Sequence, residues 1–376
     1  MRICLDARSL RDQMTGLGRY AANLVRQLAL LDRDNEYLVL RRPSRWGTLV
    51  CQENFREIFL SYDISSARNI LAGARAINAL QADIYHSFFH FLPIGVRAQR
   101  LIVTLHDLIW VDHRALADAR SWRRLAKGSL GGWGIRRALQ AADHIVAISE
   151  STRQAAIASQ AIPGAKITTI HHGVDPIFLR NSRDSLPASF GGRDFIFSLG
   201  NSLPYKNIPR LIRAFGAIAA QYPELVLLIA GRGESYPALE RLKGQLGLAG
   251  RVCFTGQLSD AEVRGCYARA LFFAFPSLIE GFGLPVLEAM ASGCPVLTAN
   301  ASSPAEITGQ DAVLVDPAST GDIARGMQGL LDNPALRRAL SSRGRQRAEQ
   351  FTWQACAAQT MELYQSPPNP FPGATP

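Results

Sequence analysis

Glu280 and Glu288 stand eight positions apart around Gly281-Phe282-Gly283-Leu284, with Pro285 directly after. Pro285 suits a first helical turn, where its missing N–H costs nothing, so Gly281 to Leu284 would offer free backbone donors at a helix N-terminus. The apolar run Phe272 to Phe275 reads as the strand before it, which puts the loop at the carboxyl edge of a parallel sheet, a place where anionic groups bind. Each carboxylate could accept hydrogen bonds from the hydroxyls of a sugar or a ribose, and the two need not share a helix face. Solvated carboxylates are the plain alternative. It is less comfortable for Glu288, flanked by Leu287, Ala289 and Met290, because burying an unpaired carboxylate costs on the order of several kcal/mol.

A second cluster, Ser198 to Asn207, links another strand to another helix and carries Gly200, Asn201 and Lys206. A cation at Lys206 would stabilise charge developing on a departing diphosphate without a metal; the alternative is an ordinary exposed lysine. A third cluster, Thr15-Gly16-Leu17-Gly18-Arg19-Tyr20, opens a helix, and its glycines let backbone N–H groups approach an anion. Gly16-x-Gly18-x-x-Ala21 also matches a dinucleotide fingerprint in form. That motif belongs in the tight turn directly after a strand, whereas Ala7 to Thr15 intervene here. Glycines that merely permit a tight loop are the competing explanation.

Other reactive types are less well placed. Asp32-Arg33-Asp34 spells the Asp-x-Asp of metal-dependent transferases but follows a helix away from any glycine loop, and reads as a polar turn. His86 and His90 could share a helical face, but Ser87-Phe88-Phe89 follows a strand, and no third ligand is spaced beside them. No metal is expected. His171-His172 reads as structural, and His106 with Asp107 could equally form a hydrogen-bonded structural pair.

These clusters need a frame, and the rest of the chain supplies one. Strand candidates at Ile3 to Asp6, Tyr37 to Leu40, Ile84 to His86, Leu101 to His106 and Ile145 to Ile148 alternate with helical stretches such as Leu17 to Leu31. The pattern restarts after Pro176 with Phe195 to Leu199, Leu225 to Ala230, Val252 to Thr255, Phe272 to Phe275, Pro295 to Thr298 and Ala312 to Val315. This βα repetition predicts two parallel α/β domains, in keeping with a length of 376 residues. The Gly- and Pro-punctuated stretch from His171 to Gly192 marks the hinge. One last helix is expected over about Pro334 to Tyr364, kinked near Phe351 and Trp353, before a disordered Pro-rich tail from Ser366.

Six scattered cysteines and no apolar leader fit a reducing cytoplasm. No apolar run reaches the roughly 20 residues needed to span a bilayer. The net charge of +10 invites nucleic acid or an anionic membrane. Basic residues cluster at Arg120 to Lys127, Arg136-Arg137 and Arg337 to Arg347 without the aromatic platform for single strands, so the membrane is favoured and no nucleic acid is expected.

Taken together, Glu280-x7-Glu288 around Gly-Phe-Gly-Leu-Pro, the Gly16 loop and Lys206 after a strand make the sequence resemble glycosyltransferase family 4. The resemblance runs over essentially the whole chain, including Ile229 to Gly233 and Val252 to Gly256. It implies the GT-B fold: two doubly wound Rossmann-like domains facing a central cleft. Residues 1–175 would be the acceptor-side domain, 176–350 the nucleotide-sugar domain, and 351–376 a helix crossing back before the tail. It also implies that Glu288 holds the donor ribose, Glu280 contacts the donor hexose, and Gly281, Phe282, Gly283 and Leu284 hold sugar and phosphate. Gly16 and Gly18 would face the diphosphate, the segments after Gly231 and Gly256 would flank the base, and His106 would meet the transferred sugar. His106, Lys206 and Glu280 are thereby the catalytic candidates. One departure stands out: many members carry an arginine where this chain has Asn201, so Lys206 would carry more of the charge unless Arg19 or Arg232 lies near.

The overall pattern resembles bacterial mannosyltransferases of polysaccharide assembly. The expectation is a retaining, metal-independent hexosyltransferase without cofactor, using GDP-mannose, with UDP-glucose the close alternative. Substitution would be front-face and phosphate-assisted, with no covalent residue assigned. A polyprenyl-diphosphate-linked glycan would be the acceptor, met by a cytoplasmic enzyme lying on the inner membrane through a basic N-terminal face. Rival readings are a dinucleotide oxidoreductase, a polyanion-binding protein and a sugar-nucleotide epimerase.

Overall fold

The computed structural model describes residues 1–12, 14–44, 47–117, 121–180, 186, 192–231, 233 and 236–367, with backbone alone for 121–130. These divide into two compact units. One holds Met1–Arg114, Trp122–Gly173 and the chain from Thr352; the other holds Val174–Phe351 with the short Ala115–Ser121 segment.

The first unit runs β1 (Arg2–Asp6), α1 (Gly16–Leu31), β2 (Glu36–Arg41), β3 (Phe55–Phe59), α2 (Ala67–Asn78), β4 (Ile84–Ser87) and β5 (Arg100–Leu105). It continues with α3 (Ile109–Asp112), α4 (Arg114–Ala117), α5 (Ser121–Ala141), β6 (His144–Ala147), α6 (Glu150–Gln160) and β7 (Ile167–Thr169). Its seven strands pair in the order β3-β2-β1-β4-β5-β6-β7, all parallel. The second unit runs β8 (Phe195–Leu199), α7 (Ile208–Ile218), β9 (Val226–Ala230), α8 (Tyr236–Gln245), β10 (Val252–Gly256), α9 (Asp260–Arg269) and β11 (Phe272–Phe275). After these come α10 (Leu284–Ala291), β12 (Val296–Ala299), α11 (Ser302–Thr308), β13 (Val313–Val315), α12 (Thr320–Asp332) and α13 (Pro334–Ala348). Six parallel strands pair in the order β10-β9-β8-β11-β12-β13. The chain then adds α14 (Trp353–Gln365) to the first unit.

Central strands are apolar on both faces because helices cover both; all five residues of β9 are buried. Both sheets are doubly wound, and in each the strand order reverses once, between β1 and β4 and between β8 and β11. Loops leaving the carboxyl ends of those neighbours diverge and open a crevice, the usual ligand position in such sheets.

Four expectations need correcting or completing. The single final helix is two: α13 ends at Ala348, Phe351 accepts a backbone hydrogen bond from Val174 (2.9 Å), and Thr352 caps α14 through Ala355 N–H. The break lies where the chain changes unit. Strands β3 and β7 were not expected, since β3 carries the polar Arg56 and Glu57 and β7 is only three residues long. His86 lies within β4, so it shares no helical face with His90. Asp32 to Asp34 form the expected turn, with Asp32 accepting from the Asp34 and Asn35 amides and from Tyr37. Residues 181–185 and 187–191 of the hinge, the tail from residue 368, and Arg120 with the side chains to Lys127 lie outside the described residues.

At the crossing, Gly173 is held to glycine by space. A Cβ there would sit 2.0 Å from the Trp353 backbone nitrogen.

Candidate functional site

In the second unit, two loops leave the strands on either side of the reversal point. Residues 200–207 follow β8 and residues 276–283 follow β11. They are bonded to each other at several points. Asn207, at φ +60° before α7, donates through Nδ2 to the carbonyls of Pro276 (2.9 Å) and Pro317 (2.7 Å). The Leu278 N–H donates to the Tyr205 carbonyl at 2.8 Å. Between them Lys206 Nζ meets Glu280 Oε1 at 2.7 Å, with the two side chains only 11% and 10% exposed. The ammonium also lies over the Phe275 ring, 4.7 Å from its centroid, and over Tyr205 at 5.1 Å. The lysine stem runs past Gly200, where a Cβ would lie in ordinary contact with Lys206 Cδ at 3.4 Å.

The sequence assigned Lys206 to phosphate and Glu280 to a hexose but did not join them; they are 74 positions apart. Glu280 is fixed from the start of α11 as well. Its N–H donates to Ser302 Oγ (3.1 Å), its carbonyl accepts from Ser303 Oγ (2.9 Å), and Ser302 holds φ +54°. Ser277, quoted in the motif yet given no role, is buried with its Oγ unpartnered among the described residues. A hydroxyl beside a glycine loop was the available signal.

The remaining candidates fall around this pair. Gly283 takes φ +98° as the residue before α10, with Pro285 in the first turn as anticipated. The Phe282 ring is buried edge-on to Phe351, and Glu288 is 6% exposed on α10. Gly281 and Leu284 complete the same loop. The ends of β8, β9 and β10 converge through glycine. Gly231 sits so close to Gly200 that a Cβ would be 1.8 Å from its carbonyl oxygen, and the Gly231 N–H donates to the Gly256 carbonyl at 2.8 Å. Asn201 closes a local turn, accepting from the Leu203 N–H at 3.2 Å. Arg232 lies outside the described residues.

Gly16, Gly18 and His106 belong to the first unit. Strand β1 ends at Asp6 and α1 starts at Gly16, capped by Thr15, whose Oγ1 accepts from the Gly18 N–H at 3.2 Å. A tight strand-to-helix dinucleotide turn is therefore absent there. Beside it lies a pocket of about 180 Å³ lined by residues including Ser9, Arg11, Thr15, Asp63 and Phe89. His106, just past β5, is buried. Its Nε2 donates to the Phe88 carbonyl (3.0 Å), Tyr20 packs against its ring, and burial holds its pKa down to about 4. The imidazole is thus neutral near pH 7. Among the described residues no group of three or more His, Cys, Asp or Glu could hold a metal ion, and no helix is long and apolar enough to cross a membrane.

Comparison with known proteins agrees with this geometry. Residues 14–178 match the family described as Glycosyltransferase Family 4, and residues 184–347 match Glycosyl transferases group 1. The O-antigen chain mannosyltransferase B of Escherichia coli is 26% identical, over 97% of this chain and 99% of its own length. The crystal structure of WaaG, a glycosyltransferase involved in lipopolysaccharide biosynthesis, superposes with TM-score 0.74 at 15% identity, over 98% of this chain and 100% of that one. Anabaena Alr3699/HepE in complex with UDP-glucose gives TM-score 0.74 at 18% identity, over 98% and 100%. With two doubly wound units of the GT-B kind and both halves matched in sequence, the chain belongs to glycosyltransferase family 4.

Proposed function

We propose that the enzyme transfers mannose from GDP-mannose, with retention and without a metal, to a polyprenyl-diphosphate-linked glycan during bacterial polysaccharide assembly. The observation that carries the chemistry is the meeting of Lys206 and Glu280 at the reversal point of the second sheet, beside the N-terminus of α10. Leaving-group charge on a diphosphate is what a buried ammonium and the positive end of a helix stabilise best, in a setting where solvent does not weaken them. In the proposed step the bond from sugar C1 to the phosphate oxygen breaks, and the acceptor oxygen bonds to C1 on the same face. The acceptor proton passes to the departing phosphate, so no protein nucleophile is required. Mannose as the sugar is supported by the mannosyltransferase named above.

A cytoplasmic enzyme lying on the inner membrane is supported by the outer face of the first unit. Leu71 on α2 (71% exposed), Ile94 (41%) and Trp133 on α5 (51%) are apolar there, with Arg137 over the Trp133 ring. The Ile94 N–H bonds the Ile70 carbonyl and Arg137 bonds the Leu92 carbonyl, so one loop bridges α2 and α5 and sets these side chains on one surface. Apolar residues among arginines suit an anionic bilayer.

The test is incubation with GDP-mannose and, separately, UDP-glucose, plus a membrane lipid extract and chelator, reading nucleotide release and the anomeric configuration of the product. GDP release with α-mannose on lipid, lost in Glu288→Ala, is expected. Release from UDP-glucose alone overturns the donor, an inverted anomer overturns retention, and loss of activity with chelator overturns metal independence.

A further inference from the structure

We infer that Glu280 makes the site discriminate the intact sugar nucleotide from the spent nucleoside diphosphate, by holding Lys206 until a sugar hydroxyl replaces the ammonium. This rests on the proposed donor reading and adds a use for the ion pair that the reading does not require.

Lys206 and Glu280 are paired at 2.7 Å with about nine-tenths of each side chain out of solvent. A nearly buried pair is costly to break from one side, since the partner left behind keeps an uncompensated charge. The pair is also braced. The lysine sits against the Phe275 and Tyr205 rings, while Ser302 and Ser303 hold the glutamate backbone at both its N–H and its carbonyl. The carboxylate therefore cannot follow the ammonium by a shift of its loop without losing those bonds.

A diphosphate that takes Lys206 must consequently leave Glu280 in place, ionised and close to a new anion. A free nucleoside diphosphate compensates only the lysine. Its phosphate is repelled by the abandoned carboxylate. A sugar nucleotide compensates both, because a hexose hydroxyl can donate to the carboxylate that the ammonium has left. The same two side chains thus favour the donor and expel the product, a useful bias where product release can limit turnover.

The experiment compares dissociation constants of wild-type and Glu280→Gln protein for GDP and GDP-mannose, and for UDP and UDP-glucose, by calorimetry. Glutamine keeps the shape and removes the charge. GDP is expected to bind Glu280→Gln at least tenfold more tightly than wild type, and GDP-mannose to gain no more than about twofold, so the ratio of Kd for GDP to Kd for GDP-mannose falls at least fivefold. Pyrophosphate, which needs only the cation, should follow GDP. Thermal unfolding checks that the variant is folded; if it is not, Ser302→Ala, which only loosens the glutamate backbone, should lower the same ratio in the same direction. Nucleotides that bind with an unchanged ratio overturn the inference alone. Absence of binding by all four nucleotides removes the donor reading and the inference with it.

Discussion

The two units share a sheet plan but keep their polar groups in different ways. All seven histidines of the chain lie before residue 174, in the first unit, and the second has none. Five of them are buried: His86, His90, His106, His144 and His172. Around Tyr20, three of them, His86, His106 and His172, form a continuous aromatic and hydrogen-bonded group. Tyr20 stacks on His172, which stacks on Trp353, while Tyr20 OH, Thr104 Oγ1, His86 and Tyr364 OH are linked in sequence at 2.9, 2.9 and 2.6 Å. Beside this group the first unit buries the Asp6–Arg8 and Arg41–Glu57 ion pairs, whereas the second, with no histidine, commits an ion pair, Lys206 and Glu280, to its reversal point. Neutral imidazoles can be buried without a charge partner at neutral pH, so the first unit gains a rigid polar core. The second, without histidine, holds its buried charges as a pair.

Acid should separate the units most strongly. Burial pushes His86 and His90 down to about 3, and His106 and His144 to about 4. Their folded values lie below the unfolded value, so the unfolded chain binds more protons beneath pH ~6.5. Stability is therefore complete above that pH and is lost as pH falls toward 4. Each deeply buried histidine contributes on the order of 2 kcal/mol of this loss at pH 5. Unfolding of the first unit between pH 6.5 and 4.5, followed by limited proteolysis with mapped cleavage sites, is the expected result. Preferential cleavage within Val174–Phe351 would reverse the comparison.

The opposite perturbation strikes the second unit. Lys206→Ala should lower kcat on the order of 10²–10³-fold, as for loss of one charge-stabilising donor. It should also destabilise the second unit by about 3 kcal/mol by leaving Glu280 unpaired. Replacing both residues, Lys206→Met with Glu280→Leu, should restore denaturant resistance while activity stays lost. Recovery of activity in the double variant would show that the pair serves packing alone.

The smallest effect concerns the outer face of the first unit. Trp133→Ala with Leu71→Ser should change folding stability by no more than about 0.5 kcal/mol per site. Sedimentation with vesicles containing anionic lipid should fall several-fold. Unchanged sedimentation would remove the surface described above from the membrane reading.

Much of the frame was legible in the chain, because fully buried parallel strands write themselves as short apolar runs; Phe195–Leu199 appears as anticipated, and Val252–Gly256 is one residue longer. What failed was local or non-local in identifiable ways. Strand β3 was hidden by Arg56 and Glu57, and Glu57 in fact pairs with the buried Arg41 across the sheet. The break between α13 and α14 falls where a kink was expected; that it is a full stop, marked by the Thr352 cap and the bond from Val174 to Phe351, was not legible. At the site, Glu280, Lys206 and the glycine loops could be nominated by type and spacing. Their pairing could not, since it depends on which strands become neighbours. Asn201, nominated by position for the donor, also uses its side chain to close a local turn, which type and spacing did not show.

One consequence follows from the first unit being made of separated pieces of chain. Helix α14 supplies Trp353, Cys356, Ala357, Leu363 and Tyr364 to a core otherwise built from residues before 171, and Arg100 grips its end through the carbonyls of Leu363 (2.8 Å) and Ser366 (2.7 Å). On a ribosome this core waits. The whole of Val174–Phe351 is translated first, which takes roughly 9–36 s at about 5–20 residues per second. During that interval the nascent first unit exposes the apolar groove that α14 will fill, and chaperones have their longest opportunity there. The second unit, drawn almost entirely from one stretch of chain, can reach its final form before the unit that precedes it in the message.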